Sequence, residues 1–246
     1  MLQYTGGTTG TPKGAMLTHY NVFANSEQVA RWAPHLTTGE ERFLGVLPFF
    51  HVFAMTVVMN FAIRKASTMV MLPRFELMAR LKLIQQTKPT VMPAVPTLFN
   101  AILNCPEVGK YDLSSLRFCI SGGAPLPLTV KHRFEDLTGC SVVEGYGLSE
   151  AAPVVTCNPV IGPVRDGSIG LPLPQTVVSL RDLEDPSVEV AQGEKGEICV
   201  SGPQVMPGYW QRIDETENVF TADRFLRTGD VARMDADGMF SIEDRI

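Results

Sequence analysis

Several features that would assign this chain to a familiar class are missing. There is no basic run: 21 Lys and Arg stand against 26 Asp and Glu, for a net charge of −5 and a pI near 5.4. The electrostatic footprint of a nucleic-acid binder is therefore absent, and no nucleic-acid partner is expected. No two cysteines have CxxC spacing. The five, at positions 105, 119, 140, 157 and 199, are odd in number and scattered, which argues for a reduced cytosolic protein with buried thiols. No apolar run reaches the roughly 20 residues that cross a bilayer; the longest, Phe49 to Ile63, is interrupted by His51, Thr56 and Asn60. Met1 to Tyr4 has neither a charged nor an apolar leader region, so no signal peptide is expected there. Internal repeats and low-complexity segments are also absent. What remains is a chain of 246 residues, 45% apolar, with mean hydropathy +0.08. Such a chain folds as one large domain or two smaller ones and buries roughly 70–75% of its unfolded surface.

The stretch from Tyr4 to Gly14, Tyr-Thr-Gly-Gly-Thr-Thr-Gly-Thr-Pro-Lys-Gly, concentrates what a polyphosphate needs. Glycines admit positive φ and close backbone approach, threonine hydroxyls donate to oxygens, and Lys13 supplies a point charge. It is not a P-loop: Lys13 follows Pro12 and precedes Gly14, so no hydroxyl stands beside the lysine to hold Mg²⁺. Taken singly, Lys13 could equally be a solvated surface residue.

Along the chain, Leu2 to Thr5 reads as a strand entering the glycine segment. Thr18 or Asn21 can cap a helix with Val22, Phe23, Ser26, Val29, Ala30 and Ala33 on one side. That order of strand, loop and helix suits binding at the carboxyl edge of a sheet. Strands are predicted at 42–47, at 68–72 as a run buried on both faces, and at 90–92, 116–121 and 141–144. Helices are predicted over 49–63, from Leu77 to the stop at Pro89, over 96–103 and over 128–137. The alternation implies a mostly parallel sheet with helices on both faces. From about Gly167 the pattern changes to short alternating runs, 176–180, 197–200 and 239–242, with a hairpin turn at 235–238 and no helix-length periodicity. The predicted architecture is an α/β subdomain over 1–166 followed by a β-rich, distorted-barrel subdomain over 167–246.

Further candidates are Glu144-Gly145-Tyr146-Gly147-Leu148-Ser149-Glu150, Gly122-Gly123-Ala124 after a strand, and Arg227-Thr228-Gly229-Asp230. A ring between two glycines can lie against a planar base, the Ser149 hydroxyl can reach a phosphate, and Glu150 is a hard oxygen donor. Local readings also fit: a tight turn with Tyr146 in the core and Glu150 capping a helix, an ordinary strand-to-helix turn at Gly122, and an Asx turn at Asp230. His51, after Phe49-Phe50, is either a satisfied core histidine or a pocket residue.

The two longer motifs together resemble the acyl-adenylate-forming (AMP-binding) superfamily, with Thr-Gly-Gly-Thr-Thr-Gly and Lys-Gly-Ala-Met-Leu-Thr-His most similar to bacterial long-chain fatty acyl-CoA ligases. The resemblance implies an enzyme that takes fatty acid, ATP and CoA with Mg²⁺: a carboxylate attacks the α-phosphorus and expels pyrophosphate, then the CoA thiol displaces AMP. It assigns Thr5, Gly6, Gly7, Thr8, Thr9, Gly10 and Lys13 to the phosphates, and Gly123, Ala124, Glu144, Gly145, Tyr146, Gly147 and Ser149 to the nucleotide. Asp230 is given the ribose hydroxyls, and Arg245, in Glu243-Asp244-Arg245-Ile246, the ribose and phosphates. Thr8, Lys13 and Glu150 are the catalytic candidates, Glu150 and Thr5 the metal ligands. His51 and Gly122 border the carboxylate pocket, and part of 49–63 lines an acyl tunnel, the rest being core. Tyr209-Trp210 is read as structural.

The resemblance also implies that the chain is the central part of a longer enzyme, lacking a stretch before the glycine segment and a mobile domain after Arg245. Such a part is expected to be nearly inactive and to self-associate. The full-length enzyme is expected in the cytoplasm, with possible peripheral contact at the inner membrane face. An adenylation domain for aryl or amino acids, or a non-catalytic nucleotide-binding module, remains open.

Overall fold

The computed structural model describes residues 1–5, 12–72, 76–162 and 164–246. Gly6, Gly7, Thr8, Thr9 and Gly10, all assigned to phosphate above, lie outside the described residues. Strands β1 (Leu2–Thr5) and β2 (Lys13–Met16) flank them as an antiparallel pair, with Thr5 opposite Lys13. This corrects the expected strand-loop-helix unit: the glycine segment joins a two-stranded ribbon of its own, outside the main sheet.

Helix α1 (His19–Trp32) starts in a capping box: Thr18 Oγ1 accepts the Asn21 amide at 3.0 Å while Asn21 Oδ1 accepts the Thr18 amide at 2.9 Å. Two orphan donors are thereby satisfied reciprocally. Phe23, predicted on the buried side, is 61% exposed. The buried face instead carries Asn21, Asn25 and Gln28 beside Val29 and Ala30. These amides are not stranded. Asn25 donates to Val154 O at 2.8 Å and accepts the Val154 amide at 3.0 Å, and Gln28 donates to Pro174 O at 2.7 Å. A pattern read by hydrophobicity alone puts such residues in water; here they bond to backbone that would otherwise be unpaired.

The next elements are β3 (Arg42–Gly45), α2 (Val52–Ala54), a π-helical stretch (Met55–Asn60) continuing into α3 (Phe61–Arg64), β4 (Thr68–Met71), α4 (Leu77–Thr87), β5 (Val91–Ala94), α5 (Pro96–Leu103), β6 (Phe118–Ser121), α6 (Leu128–Thr138) and β7 (Ser141–Gly147). They are followed by β8 (Val154–Cys157) and β9 (Leu171–Pro172). The seven strands order as β4-β3-β5-β6-β7-β8-β9, parallel through β7 and antiparallel beyond it. Alternate strand residues face opposite layers: Phe43, Val91, Phe118 and Val143 pack with α1 and the 52–64 helix, while Leu44, Met92, Cys119 and Val142 pack with α4, α5 and α6. The helices do cover both faces.

Strand β4 departs from expectation. It is the sheet edge, not an interior strand, and Met71 is 58% exposed. The predicted 49–63 helix begins only at Val52; Phe50 is 83% exposed before it. All five cysteines are free and buried.

The remaining strands, β10 (Val177–Arg181), β11 (Gly196–Ser201), β12 (Leu226–Met234) and β13 (Phe240–Arg245), form an antiparallel sheet in that order, with no pairing of β10 to β13 among the described residues. Leu180, Ile198, Val200, Ala232 and Phe240 make its core, which packs on Ala151 and Val155 of the larger sheet's antiparallel end. A helix that the periodicity did not signal, α7 (Ile213–Val219), precedes β12; it buries none of its residues, so it has no apolar stripe to read.

The double bond between Asn25 and Val154 gives a direct test. Asn25→Leu preserves volume but orphans a buried donor and acceptor, so it should lower stability by about 2–4 kcal/mol. Urea denaturation should show an earlier midpoint with an unchanged slope; an unchanged midpoint would show that the amide clamp contributes nothing.

Candidate functional site

The Glu144–Gly147 half of the second motif is strand β7, longer than the predicted 141–144, and the Ser149–Glu150 half is a single turn after it. Gly147 allows that strand to end against Pro153: a Cβ there would lie 2.1 Å from the Pro153 carbonyl oxygen. Thr56, from the π-helical stretch, donates to Ala152 O at 2.7 Å and ties the 52–64 helix to the same turn.

Tyr146 reaches across to the smaller sheet, where its phenol donates to Asp230 Oδ2 at 2.6 Å. Asp230 lies within β12, not on a turn, but the strand is irregular there. The β11–β12 register shifts between Glu197 and Cys199, and Gly229 has φ +75°, a conformation that favours glycine. Buried Glu197 holds this bulge, accepting the Gly229 amide at 3.0 Å and the Arg227 Nε at 2.8 Å. Thr228 Oγ1 donates to Ile198 O and accepts the Asp230 amide. On the other side Arg245 pairs with Asp230 in register, its Nε 3.5 Å from Asp230 Oδ1. Burial first, then the Asp230 carboxylate, hold the Tyr146 phenol well above its usual range.

A second cluster joins the base of the glycine segment to Glu150. Lys13 Nζ pairs with Glu215 of α7 at 3.0 Å and lies 4.9 Å from the Tyr209 ring centre. The Tyr209 phenol donates to Glu150 Oε1 at 2.7 Å, and burial with the Glu150 charge raises its pKa. Tyr209 is therefore the bridge between the two motifs, although it was read as a structural residue. The Lys13–Glu215 pair is part-exposed, a kind of contact worth at most about 1 kcal/mol. Thr5 Oγ1 reaches Lys13 O at 3.5 Å.

Glu150 keeps acceptor capacity beyond the single bond from Tyr209. Among the described residues no three His, Cys, Asp or Glu gather as a metal cage. Mg²⁺ does not need one, since it is usually held by one or two carboxylates plus phosphate oxygens and water; Glu150 fits that donor set.

Tyr146 also lines a cleft with about 670 Å³ of empty space, its mouth included; Asp230, Arg245, Lys13 and Glu150 do not line it. One end is polar: His51, Tyr146 and Ser149 line it, with Gly122 and Gly123. The rest is apolar, walled by residues such as Val29, Trp32, Val57, Phe118 and Leu173, and among the described residues no Asp, Glu, Lys or Arg lines it. His51 is exposed at this cleft, not buried in the core; its Nδ1 accepts the Phe53 amide at 3.2 Å, which leaves Nε2 as the donor. Ala124 is exposed and does not line the cleft. Glu144 does not either: its carboxylate accepts the Leu126 amide at 3.1 Å, and burial raises its pKa against that bond and the Lys131 charge.

Glu197 and Glu215 were missed by sequence reasoning, while Thr228 was named only as part of the Arg227–Asp230 motif and Tyr209 only as structural. Arg227 beside Asp230 hinted at a buried carboxylate partner; nothing local marked Glu215.

The model of a family described as AMP-binding enzyme matches residues 1–210. The chain is 49% identical over 245 residues to the long-chain-fatty-acid–CoA ligase of Bacillus subtilis strain 168, covering 100% of this chain and 43% of that protein. It is 47% identical over 247 residues to the protein of the same name from Salmonella typhimurium, covering 99% and 43%. Among solved structures, ATP-bound MatB from Rhodopseudomonas palustris matches with TM-score 0.90 at 32% identity, over 99% of this chain and 47% of that one. A long-chain-fatty-acid-CoA ligase from Archaeoglobus fulgidus gives TM-score 0.88 at 31% identity, over 99% and 50%. The chain thus spans less than half the length of the curated relatives it matches.

The phenol makes the site's pH dependence predictable. A free tyrosine titrates near 10, and a folded-state value above that holds the proton more tightly than the unfolded chain does. The stabilisation is complete below about pH 10 and lost as pH rises toward the folded value. Above about pH 10 the native protein should lose stability with rising pH more steeply than Tyr146→Phe, by up to roughly 1.4 kcal/mol per pH unit. Parallel stability curves for the two proteins in urea titrations would contradict this.

Proposed function

The chain belongs to the AMP-binding enzyme family, and on that footing we propose that it is the nucleotide- and acyl-holding centre of an ATP-dependent fatty acid:CoA ligase. The observation that carries the proposal is the graded cleft: a polar mouth at His51, Tyr146 and Ser149 opening into a charge-free apolar interior. Such a cavity suits a ligand with a carboxylate at one end and a hydrocarbon at the other. The 49% identical relative is named for long-chain fatty acids, which supports the same class.

In the proposed reaction the acid, with a pKa of about 4 to 5, arrives ionised, so the first step needs no general base. What it needs is alignment and cancellation of negative charge. The Tyr146 ring takes the adenine and Asp230 the ribose hydroxyls, with Arg245 beside them. Lys13 and the glycine segment take the outgoing pyrophosphate. The Ser149 hydroxyl and the His51 Nε2–H donate to the α-phosphate and to the acid, holding the carboxylate in line. Mg²⁺, held by Glu150 with phosphate oxygens, would supply charge neutralisation. CoA then attacks the acyl-adenylate in a second step. We divide the labour between residues 1–166, which hold acid and phosphates, and 167–246, which bring Asp230 and Arg245.

AMP titration tests the nucleotide assignment. Asp230→Ala should weaken AMP binding by about 10- to 100-fold, the worth of a hydrogen bond to a charged group. Calorimetry showing unchanged affinity would remove Asp230 from the site. These 246 residues alone should release pyrophosphate at about 10²–10³ below the full-length rate, the usual cost of one missing charge stabiliser. Robust acyl-CoA synthesis by them would overturn that expectation. A panel of fatty, aryl and amino acids in pyrophosphate exchange separates the fatty reading from an aryl or amino-acid one. A module that only binds nucleotide would saturate with AMP and exchange nothing. No helix among the described residues is long and apolar enough to cross a membrane. Exposed Tyr20, Phe23 and Ile63, two of them lining one groove between α1 and α3, support self-association.

A further inference from the structure

Resting on the acyl-adenylation reading above, we propose that Trp32 sets how far an acyl tail runs into the cleft before its path is obstructed. The last turn of α1 turns Val29, Trp32 and Ala33 to the cleft, and Trp32 is the one bulky side chain among them. Its indole is not a free rotor. The ring N–H donates to Asn158 O at 3.0 Å, and Asn158 is pinned to the sheet because its own amide donates to Glu144 O at 2.9 Å. Trp32 therefore bridges from α1 to the segment after β8 and closes the space between them.

The position of that bridge along the sheet gives a length. Asn158 is level with Glu144, three residues before Gly147 on β7 and five before Ser149 at the polar mouth. Three strand residues span about 10 Å. A saturated chain of carbon–carbon bonds near 1.5 Å at tetrahedral angles advances about 1.25 Å per carbon. A tail whose first carbon lies level with Gly147, the last strand residue before Ser149, thus meets the indole after about eight carbons. The wall there offers nothing to a polar group: Cys157, beside the indole, has its thiol pushed up to about 12 by burial and stays neutral. The obstruction is steric, so a longer tail gains less per methylene once it must pass or displace the ring.

Acyl-sulfamoyl adenosines with tails of four to sixteen carbons, titrated calorimetrically into the full-length protein, test this. Each methylene buried in an apolar site is worth about fourfold in affinity. In the native protein that increment should persist to about the eighth carbon and then flatten. In Trp32→Ala the break should move outward by about two to four carbons, the length of the removed ring in zigzag steps. Trp32→Phe, which keeps a buried ring but loses its outer part and its hydrogen bond, should move it by about one to two. If Trp32→Ala does not fold, Trp32→Phe decides the matter. An unmoved break in the variants, or no break in the native protein, overturns the proposal while leaving the nucleotide reading intact. Failure of the unacylated sulfamoyl adenosine to bind the native protein overturns both.

Discussion

The hydrogen bond from the Tyr146 phenol to Asp230 is the point on which the site depends. It joins the last residues of the parallel array to the middle of the smaller sheet, 84 residues later in the chain. A neutral donor meeting a carboxylate in a mostly buried setting is roughly twice as strong as an ordinary hydrogen bond. Neither partner could be buried singly without loss, since Asp230 would be an uncompensated charge and Tyr146 an unpaired hydroxyl. Tyr146 also lines the cleft, and the second carboxylate oxygen, Oδ1, faces Arg245 Nε at 3.5 Å, so a base against the ring and a ribose at Asp230 would meet the guanidinium as well.

Each partner is held by a feature that breaks regular structure. Tyr146 sits between glycines, one of which, Gly147, touches the Pro153 carbonyl too closely for any side chain. Asp230 follows Gly229 in a bulge clamped by Glu197, and bulges commonly re-aim side chains beside active sites. The same economy applies to α1, whose buried amides bond to Val154, Pro174 and Val205. Through them one helix serves as cleft wall on its apolar side and as spacer between the two sheets on its polar side.

The cleft is built into that framework. Its polar mouth gathers residues from three separate stretches, His51, Tyr146 and Ser149, and Gly122 and Gly123, while its depth is lined by residues that also belong to the core under α1. A cavity built from core residues is rigid, because those positions are fixed by close packing. The 52–64 helix is thus at once a core element and, through Val52, Phe53 and Val57, a wall of the cleft.

The amino-acid order by itself determined the α/β alternation and the β-rich texture of the later part, and it singled out the segments Glu144–Glu150 and Arg227–Asp230. Those signals are local: hydrophobic period, glycines where the backbone needs them, hydroxyls and carboxylates beside them. The tertiary structure alone decided that the strands flanking the glycine segment form a separate ribbon, that β4 is an edge, that Tyr209 spans Lys13 and Glu150, and that Asn25, Gln28 and Glu197 are buried. Each of these rests on partners far along the chain, such as the 129 residues between Asn25 and Val154. A polar residue satisfied by distant backbone has the same local pattern as one satisfied by water, so only the folded chain distinguishes them.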